Sequence, residues 1–286
     1  MSATTGLRLP RVLGAESAPA TQLVDARWLM AYAAGLGESD ARFYDTEAPG
    51  GPLAHPLFPV CYEWPPLVDL RERTIGDALA PFSVHATHDL RIARLPRAGE
   101  TVTTRARVVA VERRRAGALL VARLTTVDAR GGVLTTTDYG SVYRGVDAGE
   151  PGRVADPLPA VPAAGGETVA WSEPVALAPE AAHVYTECAR IWNPIHTDVA
   201  VAHAAGLPAI ILHGTATLAL AVSRVVARDL AGDAAAVRGI AARFTGFVRL
   251  PSALTVRGRG RAGTSIAFDA VGPDAASVLG EGRLTV

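Results

Sequence analysis

Polar and apolar residues alternate along four consecutive runs of the first half: HATHDLRIARL (85–95), ETVTTRARVVAVERR (100–114), ALLVARLTTVDA (118–129) and GVLTTTDYGSVYRG (132–145). They are rich in β-branched side chains at period two and are parted by RAGE, RRAG and RGG. That pattern predicts strands joined by tight turns. A similar set closes the chain: VRGIAARFTGFVRL (237–250), ALTVRGRGR (253–261), SIAFDAVG (265–272) and ASVLGEGRLTV (276–286), with turns at Gly263 and at Gly272 and Pro273. Another strand, ETVAWSEPVAL (167–177), opens the second half.

Three segments carry helical periodicity. DARWLMAYAAGLG (25–37) is one, followed by the polar turn GESDARFYD and a mixed stretch, FPVCYEWPPLVDLRER. PEAAHVYTECARI (179–191) is a second, started by Pro179 and Glu180. The third runs from Thr215 to about Leu230 and is apolar nearly all round over 218–226. A helix without a polar face must be covered on most sides, and an antiparallel sheet with one apolar face can wrap it. The expected class is therefore α+β, with each half a sheet around a long central helix. The halves read as one plan written twice. The Pro/Gly/Ala-rich stretch GVDAGEPGRVADPLPAVPAAGGE parts them, which gives an N-terminal extension (1–20), a first unit (21–145), a linker (146–166) and a second unit (167–286).

Composition narrows the function. The 286 residues are 49% hydrophobic, and 28 basic residues balance 28 acidic ones. No basic stripe interleaves with aromatics, so no nucleic-acid groove is expected. Every basic residue is arginine. Without lysine there is neither a Schiff base nor a Walker-type phosphate loop. Two cysteines, Cys61 and Cys188, make no disulfide framework and suit a reducing cytoplasm. No Cys/His spacing suggests a metal. MSATTGLRLPRVLG lacks a signal-peptide core, and the longest apolar run is broken by His213, Gly214, Ser223 and Arg224. The expectation is no membrane span and a cytoplasmic location.

Residues 185–214, YTECARIWNPIHTDVAVAHAAGLPAIILHG, resemble the signature of MaoC-like dehydratases and (R)-specific enoyl-CoA hydratases. The matching positions are Asn193-Pro194-Ile195-His196, Asp198, Ala202, Gly206, Pro208 and His213-Gly214. The resemblance implies two fused hotdog units, the second keeping the site. The first has lost it: GESDARFYD reads as an eroded copy with Phe43 where the histidine would stand. It also implies a 2-enoyl or 3-hydroxyacyl thioester substrate on CoA or a carrier protein. CoA or phosphopantetheine is then part of the substrate and no separate cofactor is needed. By resemblance His196 is the catalytic histidine, and the amide near Gly214 is the oxyanion donor.

The residue types suit that chemistry. Hydration across an α,β-unsaturated thioester needs a base, an acid and donors for the charge on the thioester oxygen. Histidine can be the base. Asn193 and Pro194 can hold and orient it. A helix beginning at Gly214 offers free N–H groups, and glycine lets an acyl oxygen approach them.

The family pattern places Ser-Gly-Asp where this chain has Ala189-Arg190-Ile191, and Ile191 cannot shuttle a proton. Losing such a group costs about 10²–10⁴-fold. Glu187, one helical turn earlier, is a candidate replacement carboxylate. Alternatively His196 acts alone as base and then acid, or the pocket binds a thioester without turning it over. A hotdog thioesterase is a further reading. His213 is either a structural cap or part of the substrate and oxyanion region. Trp192 is either core or a wall of the acyl pocket. Arg190 is expected to pair with Glu187 or to reach substrate phosphates. Asp198 should cap the following segment. Exposed sheet edges make a homodimer an expectation.

Overall fold

The computed structural model describes residues 6–160, 162, 166 and 168–286. Residues 1–5 of the expected extension, 161 and 163–165 of the expected linker, and 167 at the start of the expected second unit lie outside the described residues. In chain order the elements are β1 (Ala20–Val24), α1 (Ala26–Gly35), α2 (Pro59–Thr74), β2 (Ser83–Ile92), β3 (Glu100–Arg114), β4 (Gly117–Asp128), β5 (Val133–Arg144) and β6 (Gly152–Arg153). Then follow β7 (Trp171–Leu177), α3 (Ala181–Ala189), α4 (Val199–Ala204), α5 (Gly214–Asp229), β8 (Gly239–Phe244), β9 (Ser252–Ala262), β10 (Ser265–Val271) and β11 (Ser277–Thr285). Two compact units result. The first comprises Met1–Gln22, Tyr62–Ala93 and Thr101–Ala160, and the second Leu23–Cys61, Arg94–Glu100 and Val161–Val286. They cut across the halves read from the sequence, because Leu23–Cys61 joins the second unit.

In the first unit β3, β4, β5 and β2 lie side by side, each pair antiparallel. The RRAG and RGG turns set their register. Leu9 and Val12 of the expected extension are buried with Val108, Leu120 and Leu124, and the Ser17 hydroxyl accepts from the Ala106 amide at 3.0 Å. The start of the expected linker also joins the sheet, as β6 pairs with β3 at Ala110 and Arg153. Leu9, Val12, Ser17, Gly152 and Arg153 are thus part of the unit's body.

The mixed stretch is a helix, α2, despite Pro65 and Pro66 inside it. Each proline removes one N–H from the ladder and hides the helix from propensity. Burial of Val60, Cys61, Tyr62 and Leu70 outweighs that loss. α2 also buries a carboxyl. Glu63 accepts a 2.6 Å bond from the Thr137 hydroxyl, and desolvation pushes its pKa up to about 8. A carboxyl whose folded pKa exceeds its unfolded value stays protonated in the fold, so it loses stability as pH rises from about 4.5 toward 8. Glu63→Gln, which keeps an acceptor for Thr137 without a charge to suppress, should therefore raise stability at pH 7 by about 3 kcal/mol and change little near pH 4.5. Urea melts at both pH values check this.

In the second unit the order is β8, β11, β10, β9, β7. α5 lies against β9, β10 and β11. Its residues from Ala216 to Ser223 are all buried, as are Val225 and Val226. Inward-facing Leu254, Val256, Ile266, Phe268, Leu279 and Leu284 complete the core. Each such apolar side chain contributes about 1.5–3 kcal/mol on burial, which is what holds so apolar a helix inside a sheet. α1 packs on α3 in the same unit. A Cβ at Gly35 would lie 2.9 Å from the Cβ of Cys188, so glycine is needed where the two helices meet. Among the described residues no helix is long and apolar enough to cross a membrane.

Candidate active site

The stretch that ends α3 and begins α5 brings the candidate residues together in the second unit. α3 stops because Arg190 adopts the left-handed conformation, φ 59° and ψ 37°. Glycine takes that conformation without cost; here the arginine side chain compensates. Its guanidinium carbon sits 4.2 Å from the centre of the Trp28 ring, and a nitrogen lies 3.8 Å from Asp25. This overturns the expected pairing of Arg190 with Glu187: the guanidinium is spent on α1 and its cap.

The left-handed turn takes Ile191 off the helix. Its side chain is buried at 4% exposure, while Glu187 faces solvent. The one-turn spacing that would align the two holds only for a continuing helix. Trp192 is 61% exposed, so it is not core.

Asn193 caps the short 3-10 turn Pro194–His196, its side chain accepting from the Ile195 amide. Proline's fixed φ and the asparagine cap set the direction of the next side chain, His196. The His196 ring is 8% exposed. Its Nδ1–H donates to the Ile211 carbonyl at 2.8 Å. A carbonyl can only accept, so Nδ1 holds the proton and Nε2 keeps a lone pair. Burial pushes the His196 pKa down to about 4, which leaves the imidazole neutral at pH 7. As expected, Asp198 caps α4, accepting from the amides of Ala200 at 2.8 Å and Val201 at 3.2 Å.

His213 immediately precedes α5, and its side chain makes no cap bond to the helix. It stacks on His196 instead, with ring centres 3.7 Å apart and planes at 25°. Its Nε2 lies 3.4 Å from the Ile191 carbonyl and 3.2 Å from the Thr186 hydroxyl. Its Nδ1 is buried without a hydrogen-bond partner. Burial, reinforced by His196, holds the His213 pKa well below the usual histidine value. Gly214 begins α5, and a Cβ there would lie 3.2 Å from the Phe244 ring. The first amides of a helix have no intrahelical acceptor and face a developing negative charge favourably.

Two groups escaped the sequence reading. Tyr185 donates to the Thr215 hydroxyl at 3.1 Å, in the first turn of α5, and its ring centre lies 5.0 Å from that of His213. The second is a set on the far side of Tyr32: Glu38, His55 and Ser223. His55 Nε2 is 3.2 Å from the Ser223 hydroxyl and 3.7 Å from Glu38. The grouping has the composition of a nucleophile triad but the opposite polarity. His55 Nδ1 accepts from the Leu57 amide at 3.0 Å, so Nε2 bears the hydrogen and donates. Ser223 in turn donates to the Ala219 carbonyl at 3.0 Å. With its hydrogen on Nε2, His55 cannot act as the base for the serine. Among the described residues no group of three or more His, Cys, Asp or Glu is placed to hold a metal.

Residues 161–266 match the MaoC like domain family, and residues 11–137 match the FAS1-like dehydratase domain region. The chain thus carries a MaoC-like dehydratase domain in its C-terminal half and a FAS1-like dehydratase region in its N-terminal half. Enoyl-CoA hydratase ChsH3 of Mycobacterium tuberculosis is 41% identical over 78 residues; the match spans 27% of this chain and 27% of that protein. A crystal structure of a MaoC-like dehydratase from Phytophthora capsici has a TM-score of 0.83 at 24% identity, over 95% of each chain. A Mycobacterium tuberculosis protein described as a double hotdog has a TM-score of 0.56 at 19% identity, over 96% of this chain and 95% of that one. The fold is accordingly two hotdog units, as the resemblance implied.

Proposed function

We propose that the chain is a hydratase/dehydratase that interconverts 2-enoyl and 3-hydroxyacyl thioesters carried on CoA or a carrier protein. One observation carries the reading. A neutral imidazole, His196, has its tautomer set by the Ile211 carbonyl and stacks on the residue that precedes the N-terminus of α5. The family matches and the short stretch shared with an enoyl-CoA hydratase support it.

In the hydration direction His196 Nε2 takes a proton from water as the water oxygen bonds Cβ. The amide of Gly214 meets the charge on the thioester oxygen, and the proton then goes to Cα. Asn193 acts through the turn that aims His196. The CoA or phosphopantetheine arm belongs to the substrate, and the chain needs no cofactor of its own.

A second reading, a thioester-binding protein without turnover, is favoured by Ile191 alone. A thioesterase is disfavoured by the polarity of the His55–Ser223 bond. The test is incubation of the pure protein with short and long 2-enoyl-CoA esters and mass analysis of the products. A 3-hydroxyacyl thioester is expected. Free CoA thiol would point to hydrolysis, and saturable binding without product would support the second reading.

A further inference from the structure

The hydratase reading leaves one place vacant. A water attacking Cβ must present its oxygen lone pair to carbon, so both its hydrogens need acceptors. His196 Nε2 supplies one. In the family pattern a carboxylate supplies the other, and Ile191 has none. Glu187 faces solvent, and among the described residues no carboxylate hydrogen-bonds to either site histidine.

The orphaned nitrogen of His213 has the required properties. Because Nε2 faces the Ile191 carbonyl, which can only accept, Nε2 carries the hydrogen and Nδ1 keeps a lone pair. That lone pair has no partner although the residue is 2% exposed. A buried polar atom left bare costs about 1–3 kcal/mol, so this nitrogen is a strong acceptor for any donor brought to it. The stack sets the reach. Ring centres 3.7 Å apart put nitrogens of the two rings about 3.5–5 Å apart, a range that includes the about 4.5 Å one water spans when it donates both its hydrogens.

We propose that His213 Nδ1 takes over the work of the missing carboxylate, accepting the second hydrogen of the attacking water while His196 Nε2 removes the first. This rests on the hydratase reading above. The step balances without another reactant. The water oxygen bonds Cβ, and its first proton passes to His196 Nε2. The π electrons of the double bond move toward the thioester carbonyl, whose oxygen is held at the Gly214 amide. The proton on Nε2 then goes to Cα as the enolate collapses. The second hydrogen stays on oxygen, becomes that of the product hydroxyl, and leaves His213 neutral throughout. A neutral partner suits a stacked pair, because two imidazolium ions at this distance would repel. Burial keeps both rings unprotonated at pH 7.

Two amide substitutions separate this role from a merely structural one. In His213→Gln the side-chain amide stands where Nε2 was and can keep the bond to the Ile191 carbonyl, but the Nδ1 acceptor is gone. In His213→Asn the amide oxygen stands where Nδ1 was and the Nε2 contact is lost. With 2-enoyl-CoA as probe, His213→Gln is expected to lower kcat by about 10²-fold or more, with KM and melting temperature near wild type. His213→Asn is expected to keep kcat within about tenfold of wild type at a lower melting temperature. A His213→Gln enzyme as fast as wild type, or a Gln variant faster than the Asn variant, overturns the role of His213 and leaves the hydratase reading standing. A wild type that hydrates no enoyl thioester overturns both.

Discussion

Replacing His196 by asparagine is expected to lower kcat/KM for hydration of a 2-enoyl thioester by about 10²–10⁴-fold while leaving the melting temperature close to wild type. Asparagine can set an amide N–H where Nδ1–H now donates to the Ile211 carbonyl, so the turn keeps its tie. What disappears is Nε2, the lone pair of the neutral ring. The loss should fall mainly on kcat, because the base acts in the transition state more than in substrate binding. Steady-state assays with enoyl-CoA, alongside thermal melts, measure both. A variant within about threefold of wild type would remove His196 from the chemistry and favour a binding role for the chain.

Acid should destabilise the protein at pH values where carboxylates are still ionised. His55, His88 and His196 are buried neutral, with pKa values pushed down to about 3, 4 and 4 by desolvation. In the unfolded chain each returns to about 6.5. Below that value the unfolded chain takes up protons that the folded chain refuses, so the stability present above pH 6.5 is lost as pH falls toward the folded values. At pH 5.5 each histidine removes about 1.4 kcal/mol, or about 4 kcal/mol for the three. Against a domain stability of about 5–15 kcal/mol that loss is large. Glu63, with its pKa up at about 8, titrates in the opposite sense, and so does Asp89, raised to about 6 by burial. The Glu63→Gln background removes the larger of these. Urea melts of that variant at pH 7.5 and 5.5 should show the midpoint falling with acid. An unchanged or rising midpoint would show that the three rings are not held neutral.

The strands were legible because their signal is local. Period-two alternation between glycine turns marked β3 at the residues it occupies, Glu100–Arg114. α5 was legible because a run apolar nearly all round over 218–226 has nowhere to go but inside. α2 was not, since Pro65, Pro66 and a buried Glu63 contradict helix and core signals alike. Its stability comes from packing that no window of the sequence displays.

The site divides in the same way. Asn193, Pro194, His196 and Gly214 were readable because a cap, a fixed φ and a helix start are short-range events. Glu187 was drawn toward Ile191 by helical spacing, and the left-handed turn at Arg190 breaks that spacing. Arg190 itself finds Trp28 and Asp25, partners far away in sequence. The stack of His213 on His196 is likewise a tertiary contact. Nothing in ILHG announces it.

The central claim is that His196 carries a proton between water and Cα of an acyl thioester. Running the wild type and His196→Asn on a 2-enoyl-CoA in D2O, with mass and NMR analysis of the product, tests it most directly. The account predicts that the wild type gives a 3-hydroxyacyl-CoA with one deuterium fixed at C2, and that the variant gives almost none at equal times. Release of free thiol with C2 unlabelled, or equal labelling by both proteins, would contradict it.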